Sequence, residues 1–585
     1  MNEFDVIVFV IVGAVFPDAV ADEESMQEAL AQLSRDDALF VCARLNAIVS
    51  GFGPDRSLYQ RQYDAIGLLC SAQQKFALSD YANKHGGPER VMAFFRGQLL
   101  ELARRVVMDC QNLPGDGATL HKNEATRATF LRAALIASSL WERRLFGTEA
   151  LKPLVDLDIQ LRGYLGAFRK NVEEVHGAAQ PAFTVARGWL LFFRYLPKYL
   201  PEFIEAFERN TGLLLRQYFI CAFALMERSF SDQPHDKRIF HTDYVPGDTR
   251  VGEMFAKFLR MHAQSPEEWA ASLRANPNDS GHLALRQRPV LSFSGNRSII
   301  LDPAFYLDNL TTAPLFHVQS AHLSMERAFE AFGHAFEDYA TDLLRQRFPA
   351  GSGLLHQRLR CGVKGANKSG EEFEVDAILN DITAAAFFEI KASWIREDKV
   401  LAKDPEEFLT EVRKKYGYDP KSKERKGVAQ LARSVGALMR REWAGPDQEY
   451  AQVASVIPVL LVFDARMAAP GLGQFLDTEF RSLLGPIPTG IFVHSLIILT
   501  IADLEHLVAA VEHLSLQEVL RAYSGADPKR LSSFYNFIAT SPYLNLVKQS
   551  PVLEGLVEEF MQAARTELLP NAGSTSQGSE SSPEA

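Results

Sequence analysis

Cysteine is scarce in this chain: Cys42, Cys70, Cys110, Cys221 and Cys361 are five in 585 residues, odd in number and without a CxxC pair. That excludes a disulfide framework and a cysteine-based zinc site, and predicts reduced, mostly buried thiols. Long apolar runs are missing too. The most apolar one, Val6 to Phe16, has eleven residues, against the about 20 that a membrane-spanning helix needs. The opening Met-Asn-Glu-Phe-Asp is acidic where a secretory signal needs Lys or Arg, so despite the small Ala19-Val20-Ala21 a buried strand or helix is expected here. The expected setting is cytoplasmic, with no membrane partner. A basic excess is also lacking: 62 Lys and Arg against 73 Asp and Glu leave a net charge of −11. Any polyanion must therefore meet a local patch. The fourteen histidines form no HExxH, and no GxSxG elbow occurs. The stretch Gly362 to Gly370 lacks the GxxxxGK[ST] spacing of a phosphate loop and precedes a strand, so it reads as a hairpin loop.

What is present is an ordinary globular composition, 47% hydrophobic and 23% charged, long enough for several domains. Residues 1–285 are patterned as a mainly helical region, for targeting or regulation. Apolar residues recur at helical spacing in Val91, Met92, Phe94, Phe95, Leu99, Leu100 and Leu102, and again over Thr126–Phe146 and Tyr199–Phe230, the last interrupted by Asn210-Thr211-Gly212. The aromatic stretch Trp189–Tyr195 reads as helix core. After the turn-rich Asn276–Gly281 the character changes. Residues 286–317 hold an expected β-hairpin connection, Pro289–Phe293 with Ser298–Leu301. Residues 318–512 alternate elements. A helix runs from the N-cap Ser324 to about Phe348, and strands are expected over Gln357–Val363, Glu372–Leu379 and Ala385–Ala392. A helix from about Gly427, strands Val456–Phe463 and Val493–Thr500, and a helix at Asp503 follow. Residues 513–570 are expected to be helical and 571–585, rich in serine, a disordered tail. The predicted class is α+β: a largely helical N-terminal region followed by an α/β core with a mixed central sheet flanked by helices.

The chemistry concentrates in Glu374-Val375-Asp376-Ala377-Ile378-Leu379 and Phe387-Phe388-Glu389-Ile390-Lys391-Ala392. Side chains alternate along a strand, so Glu389 and Lys391 share one face while Phe388 and Ile390 take the other. Charges on an apolar, buried strand need compensation. If the two strands pair through Asn380–Thr383, Asp376 lies beside Glu389, and two neighbouring carboxylates want a cation. Oxygen ligands of this kind suit Mg²⁺, or Mn²⁺ in its place. The acid-x-Lys spacing also occurs at Glu397/Lys399, Asp419/Lys421, Glu424/Lys426 and Asp527/Lys529, but in polar surroundings.

This arrangement, over roughly Ser324 to Leu507, resembles the PD-(D/E)XK nuclease superfamily, whose fold is the restriction-endonuclease-like core. The resemblance implies Asp376 and Glu389 as metal ligands, the carbonyl of Ile390 as a further ligand, and Lys391 as the residue that positions or polarises the attacking water. It also implies a helical acid, which falls on Glu337 within Gly333–Tyr339. Val375 stands where the family often has proline. Independently, Phe329, Phe332, Phe336, Tyr339 and Leu343 define a helix core stripe with Glu337 at its edge. Glu330, two turns earlier on that edge, competes for the role. The implied function is a Mg²⁺-dependent endonuclease acting on DNA, in a restriction or antiphage-defence role. An RNase using the same site and a silent nucleic-acid-binding or scaffold protein are the alternatives, with a second copy of the chain or a defence protein as further partners.

The second signal is electrostatic. Glu411 to Arg441 holds ten basic residues and three acids, net +7 in a chain of −11. Lys421, Lys423, Arg425 and Lys426 are the expected phosphate-backbone contacts, with Gln430 on the following helix. Tyr416 and Tyr418 are placed by this reading in a loop, where they could stack on bases.

Overall fold

A computed structural model describes residues 8–50, 58–110, 123–146, 181–230, 239–241, 249–276, 282–319, 323–349, 358–366, 370, 372–396, 399, 405–419, 425–442, 450, 452–469, 471–512, 514–526 and 533–568. The expected tail, together with Lys421 and Lys423, lies outside them. The structure is mixed α+β, with helices predominating. Among the described residues no helix is long and apolar enough to cross a membrane.

The apolar opening run is only partly buried, with Val10 and Val12 inside and Ile11 exposed. Strand β1 (Val8–Phe9) pairs in parallel with β2 (Val91–Met92), and Val10 and Val12 pack into a core with the helices Arg35–Val49, Arg96–Asp109 and Glu124–Phe146. A small four-stranded sheet follows, in the order β3 (Phe240–His241), β6 (Arg297–Ile300), β5 (Val290–Phe293), β4 (Ala263–Gln264). The expected hairpin is β5–β6, antiparallel from Val290 against Ile300 to Phe293 against Arg297. It leads into helix α1 (Pro303–Phe316), which Asp302 starts by accepting a hydrogen bond from the Phe305 amide. Asp302 is fully buried and tied to Arg96 by two hydrogen bonds of 2.8 and 2.9 Å, so this cap also fastens α1 to the N-terminal helices.

Helix α2 (Met325–Arg347) begins at Ser324, whose side chain accepts from the Arg327 amide. It lies on a six-stranded mixed sheet built from β7 (Arg358–Ala366), β8 (Glu372–Asp381), β9 (Ala384–Lys391), β10 (Ser455–Val462), β11 (Phe492–Val493) and β12 (Ile497–Thr500). β7, β8 and β9 form an antiparallel meander, and β10 runs parallel to β9 with Lys391 opposite Val462. That parallel step needs a crossover, supplied by α3 (Pro405–Tyr416) and α4 (Val428–Met439). Phe388 and Ile390 pack with α2, whereas Phe387 joins Val435 of α4 on the opposite face. The alternation read along this strand therefore holds.

Two expectations need correction. The run Val493–Thr500 is not one strand. It breaks after Val493 because the Leu496 amide leaves the ladder to donate to the Asp477 carboxylate at 2.7 Å, and β12 restarts at Ile497 before helix α5 (Ile501–Val508). Tyr416 is not in a loop. It ends α3, fully buried, its hydroxyl donating to the Ser393 carbonyl, and it cannot stack on a base. Gly427, at φ +49°, is seated against it: a Cβ there would come within 2.6 Å of the Tyr416 carbonyl oxygen.

Candidate active site

β8 and β9 separate after the pair Ala377–Phe388, while β8 continues alongside β7 as far as Glu372. At that fork the Ile390 amide has lost its main-chain acceptor. The Asp376 side chain supplies one, with Oδ2 accepting from Ile390 N at 2.6 Å. A carboxylate thus substitutes for the strand, which fixes it beside β9.

Glu389 is 2% exposed, and the Lys391 ammonium stands 2.6 Å from its Oε1. This ion pair is the contact that Glu389 Oε1 makes with a cation. Burial pushes the Glu389 carboxyl up to about 8; Lys391 pulls it down, and Asp376 and Glu337 push it further up. Burial opposes the charge of Lys391, but Glu389 and Asp376 outweigh it and raise its pKa. Asp376 is likewise raised by burial, against the pull of Lys391 and the Ile390 amide. Glu337, on α2, rises to about 7 through burial and the charge of Asp376, opposed by Lys391. The structure therefore gathers Asp376, Glu389, Lys391 and Glu337 into one electrostatic cluster. Glu330 is exposed and contributes to none of these shifts.

The cluster opens onto a cavity of about 1780 Å³, lined by Glu337, Ile390 and Lys391 and reaching across to Arg260 and Arg288 of the N-terminal half. Asp376 and Glu389 are not part of the cavity's lining. Sequence reasoning missed this far wall, because only tertiary packing brings residues 260 and 288 to the site. Ten basic and five acidic side chains line the cavity, a local reversal of the chain's charge.

The basic stretch divides. Lys415, Lys426 and Gln430 line the cavity. Gln430 also has a capping task, its Oε1 accepting from the Gly427 amide at 3.1 Å. Arg425 is exposed and pairs through its backbone with Tyr418, off the cavity lining. Arg413 is bound to Glu479, Arg433 donates to the Glu372 carbonyl, and Arg441 to that of Tyr450, so these three serve the fold.

Among the described residues, no three His, Cys, Asp or Glu side chains form a ready-made cation site. Lys391 already neutralises Glu389, and the Ile390 amide occupies one oxygen of Asp376. The donor chemistry nevertheless fits a hard cation, because the Asp376 carboxylate raises the pKa of both Glu389 and Glu337 and all three offer oxygen. Comparison with protein-family models, curated proteins and solved structures returns no match to this chain.

Proposed function

We propose that this protein hydrolyses phosphodiester bonds in DNA at the Asp376–Glu389–Lys391 cluster, as a Mg²⁺-dependent nuclease of the PD-(D/E)XK type. The observation that carries the reading is the buried Glu389 beside Lys391, with Asp376 clamped on the Ile390 amide, next to a large cavity of basic lining. The order of α2, a three-stranded meander, a helical crossover and a parallel strand supports it, because a restriction-endonuclease-like core is built in that order.

Asp376, Glu389, the carbonyl of Ile390 and Glu337 would hold the metal. Bound there, Mg²⁺ or Mn²⁺ activates water and stabilises the leaving oxygen. Lys391, at the cavity surface, puts positive charge where the non-bridging phosphate oxygens gain negative charge. Glu337 rises to about 7 only while no cation is present; as a ligand it would stay ionised, so the proton of the attacking water would leave through solvent in the open cavity. The attacking oxygen bonds to phosphorus as the bond to the leaving oxygen breaks.

The test is incubation with plasmid, linear and single-stranded DNA and with RNA, in Mg²⁺, in Ca²⁺ and in EDTA. DNA cleavage in Mg²⁺, lost in EDTA and in Lys391→Ala, is expected. Cleavage that survives EDTA sinks the mechanism, and cleavage of RNA alone sinks the choice of DNA.

A further inference from the structure

At about 1780 Å³ the cavity beside the cluster exceeds the roughly 300–1,000 Å³ of small-molecule sites and has room for a polymer segment. Two features of its lining define which kind. The first is aromatic. Phe316 ends α1 with 57% of its surface exposed, yet it faces this cavity. Its ring contacts Phe329 edge-on with centroids 5.6 Å apart, and Phe329 contacts Trp394 edge-on at 5.4 Å. Trp394 is half-buried, three residues beyond Lys391. These three rings form a path from the cavity toward the catalytic strand. Only Phe316 is exposed; Phe329 and Trp394 are partly buried against the core, Trp394 also meeting Phe332 and Phe463 at 5.3 Å each, so Phe316 is the ring that offers a face to an unstacked base.

The second feature is charge. Among the described residues Arg260, Arg288 and Lys415 have no ion-pair partner, and all three line the same cavity. Arg260 and Arg288 belong to the N-terminal half, and Lys415 to the crossover between β9 and β10. Both halves of the chain thus contribute uncommitted cations to one space.

We propose that the cavity binds a single-stranded polynucleotide, with a base stacked on Phe316, which Phe329 and Trp394 support from behind, and phosphates held by Arg260, Arg288 and Lys415. The N-terminal half is then part of the substrate groove itself. This inference deepens the nuclease reading and rests on it for the cleavage step, while binding is measured separately.

The experiment is fluorescence anisotropy of the full chain in EDTA, where no cleavage occurs, with labelled oligothymidylate, oligouridylate and a DNA duplex. Either single strand should bind at least about tenfold more tightly than the duplex, as stacking at about 1–3 kcal/mol per base allows. Phe316→Ser, an exposed position, should weaken single-strand binding about tenfold. Arg260→Ser with Arg288→Ser should flatten the salt slope by about 1.4, two contacts at about 0.7 each. Duplex binding as tight as single-strand binding, or variants with unchanged affinity and slope, overturn the proposal. Tight, variant-sensitive single-strand binding with no cleavage of any substrate in Mg²⁺ would instead overturn the nuclease reading and leave the groove standing.

Discussion

Arg187 and Glu505 meet as a two-pronged buried pair, Nε to Oε1 and Nη2 to Oε2, both at 2.6 Å. They lie 318 residues apart, and Tyr339 of α2 donates its hydroxyl to the same Glu505 oxygen at 2.7 Å. The triad fastens the helix Pro181–Leu190 to α2 and α5. Arg187→Met leaves Glu505 charged and buried, so unfolding by denaturant should show a loss of about 3–5 kcal/mol. The double variant Arg187→Met with Glu505→Leu should recover most of it, because no charge is then stranded. A single-variant loss below about 1 kcal/mol would mean the pair is idle.

Asp376 has two tasks that a substitution pair separates. Asp376→Ala removes the acceptor of the Ile390 amide and should cost about 1–3 kcal/mol. Asp376→Asn keeps an acceptor oxygen and should hold the melting temperature within a few degrees, since it also relieves repulsion with Glu389. Both should abolish cleavage. Equal melting temperatures for the two variants would argue against the strand-substituting hydrogen bond.

The raised carboxyl of Glu389 gives stability a definite pH dependence. Its folded pKa, about 8, exceeds the ordinary 4.5, so between those values the folded state binds the extra proton. The metal-free protein should therefore lose stability as pH rises from about 5 to about 8. Glu337, raised to about 7, acts in the same direction. Glu389→Gln should flatten the curve of melting temperature against pH, and added Mg²⁺ should raise the wild-type melting temperature most at the alkaline end. A curve rising through this window would refute the assignment.

The turn between β8 and β9 carries strain that can be removed. Asp381 pairs with Ala384, leaving a two-residue loop whose first member, Ile382, has φ +47° and is 44% exposed. A β-branched residue costs about 1–2 kcal/mol there relative to glycine. Ile382→Gly should stabilise the protein by about 1 kcal/mol in thermal or denaturant unfolding. A fall in stability would show that Ile382 makes up the cost through packing.

The sheet was legible because its strands are short β-branched and aromatic runs with turn residues between them. The faces of Glu389 and Lys391 followed from alternation alone, and the N-cap at Ser324 from residue type. Other features had a signal that the charge obscured. Phe408, Leu409, Val412 and Tyr416 recur at helical spacing through the basic stretch, and that stripe is what buries Tyr416 under α3. The break before β12 left no local trace, since its cause, Asp477, lies on a separate helix. The far wall of the cavity was illegible for the same reason. Arg260 and Arg288 look like ordinary surface cations until packing places them on the wall of the cavity that Lys391 also lines.

The two main apolar cores exchange chain segments between residues 185 and 306. Phe192, Tyr218 and Phe219 share one core with Ala377 and Phe388, whereas Leu285, Leu301 and Phe305 belong to the other, with Leu99 and Phe130. No single cut can therefore yield two pieces that each keep their packing. A truncation starting at 286 would strip aromatic rings from the core beneath β9, and one ending at 285 would take Leu301 and Phe305 from the N-terminal helices. Loss of activity in such fragments would report a broken interior and say nothing about how labour is divided between the halves.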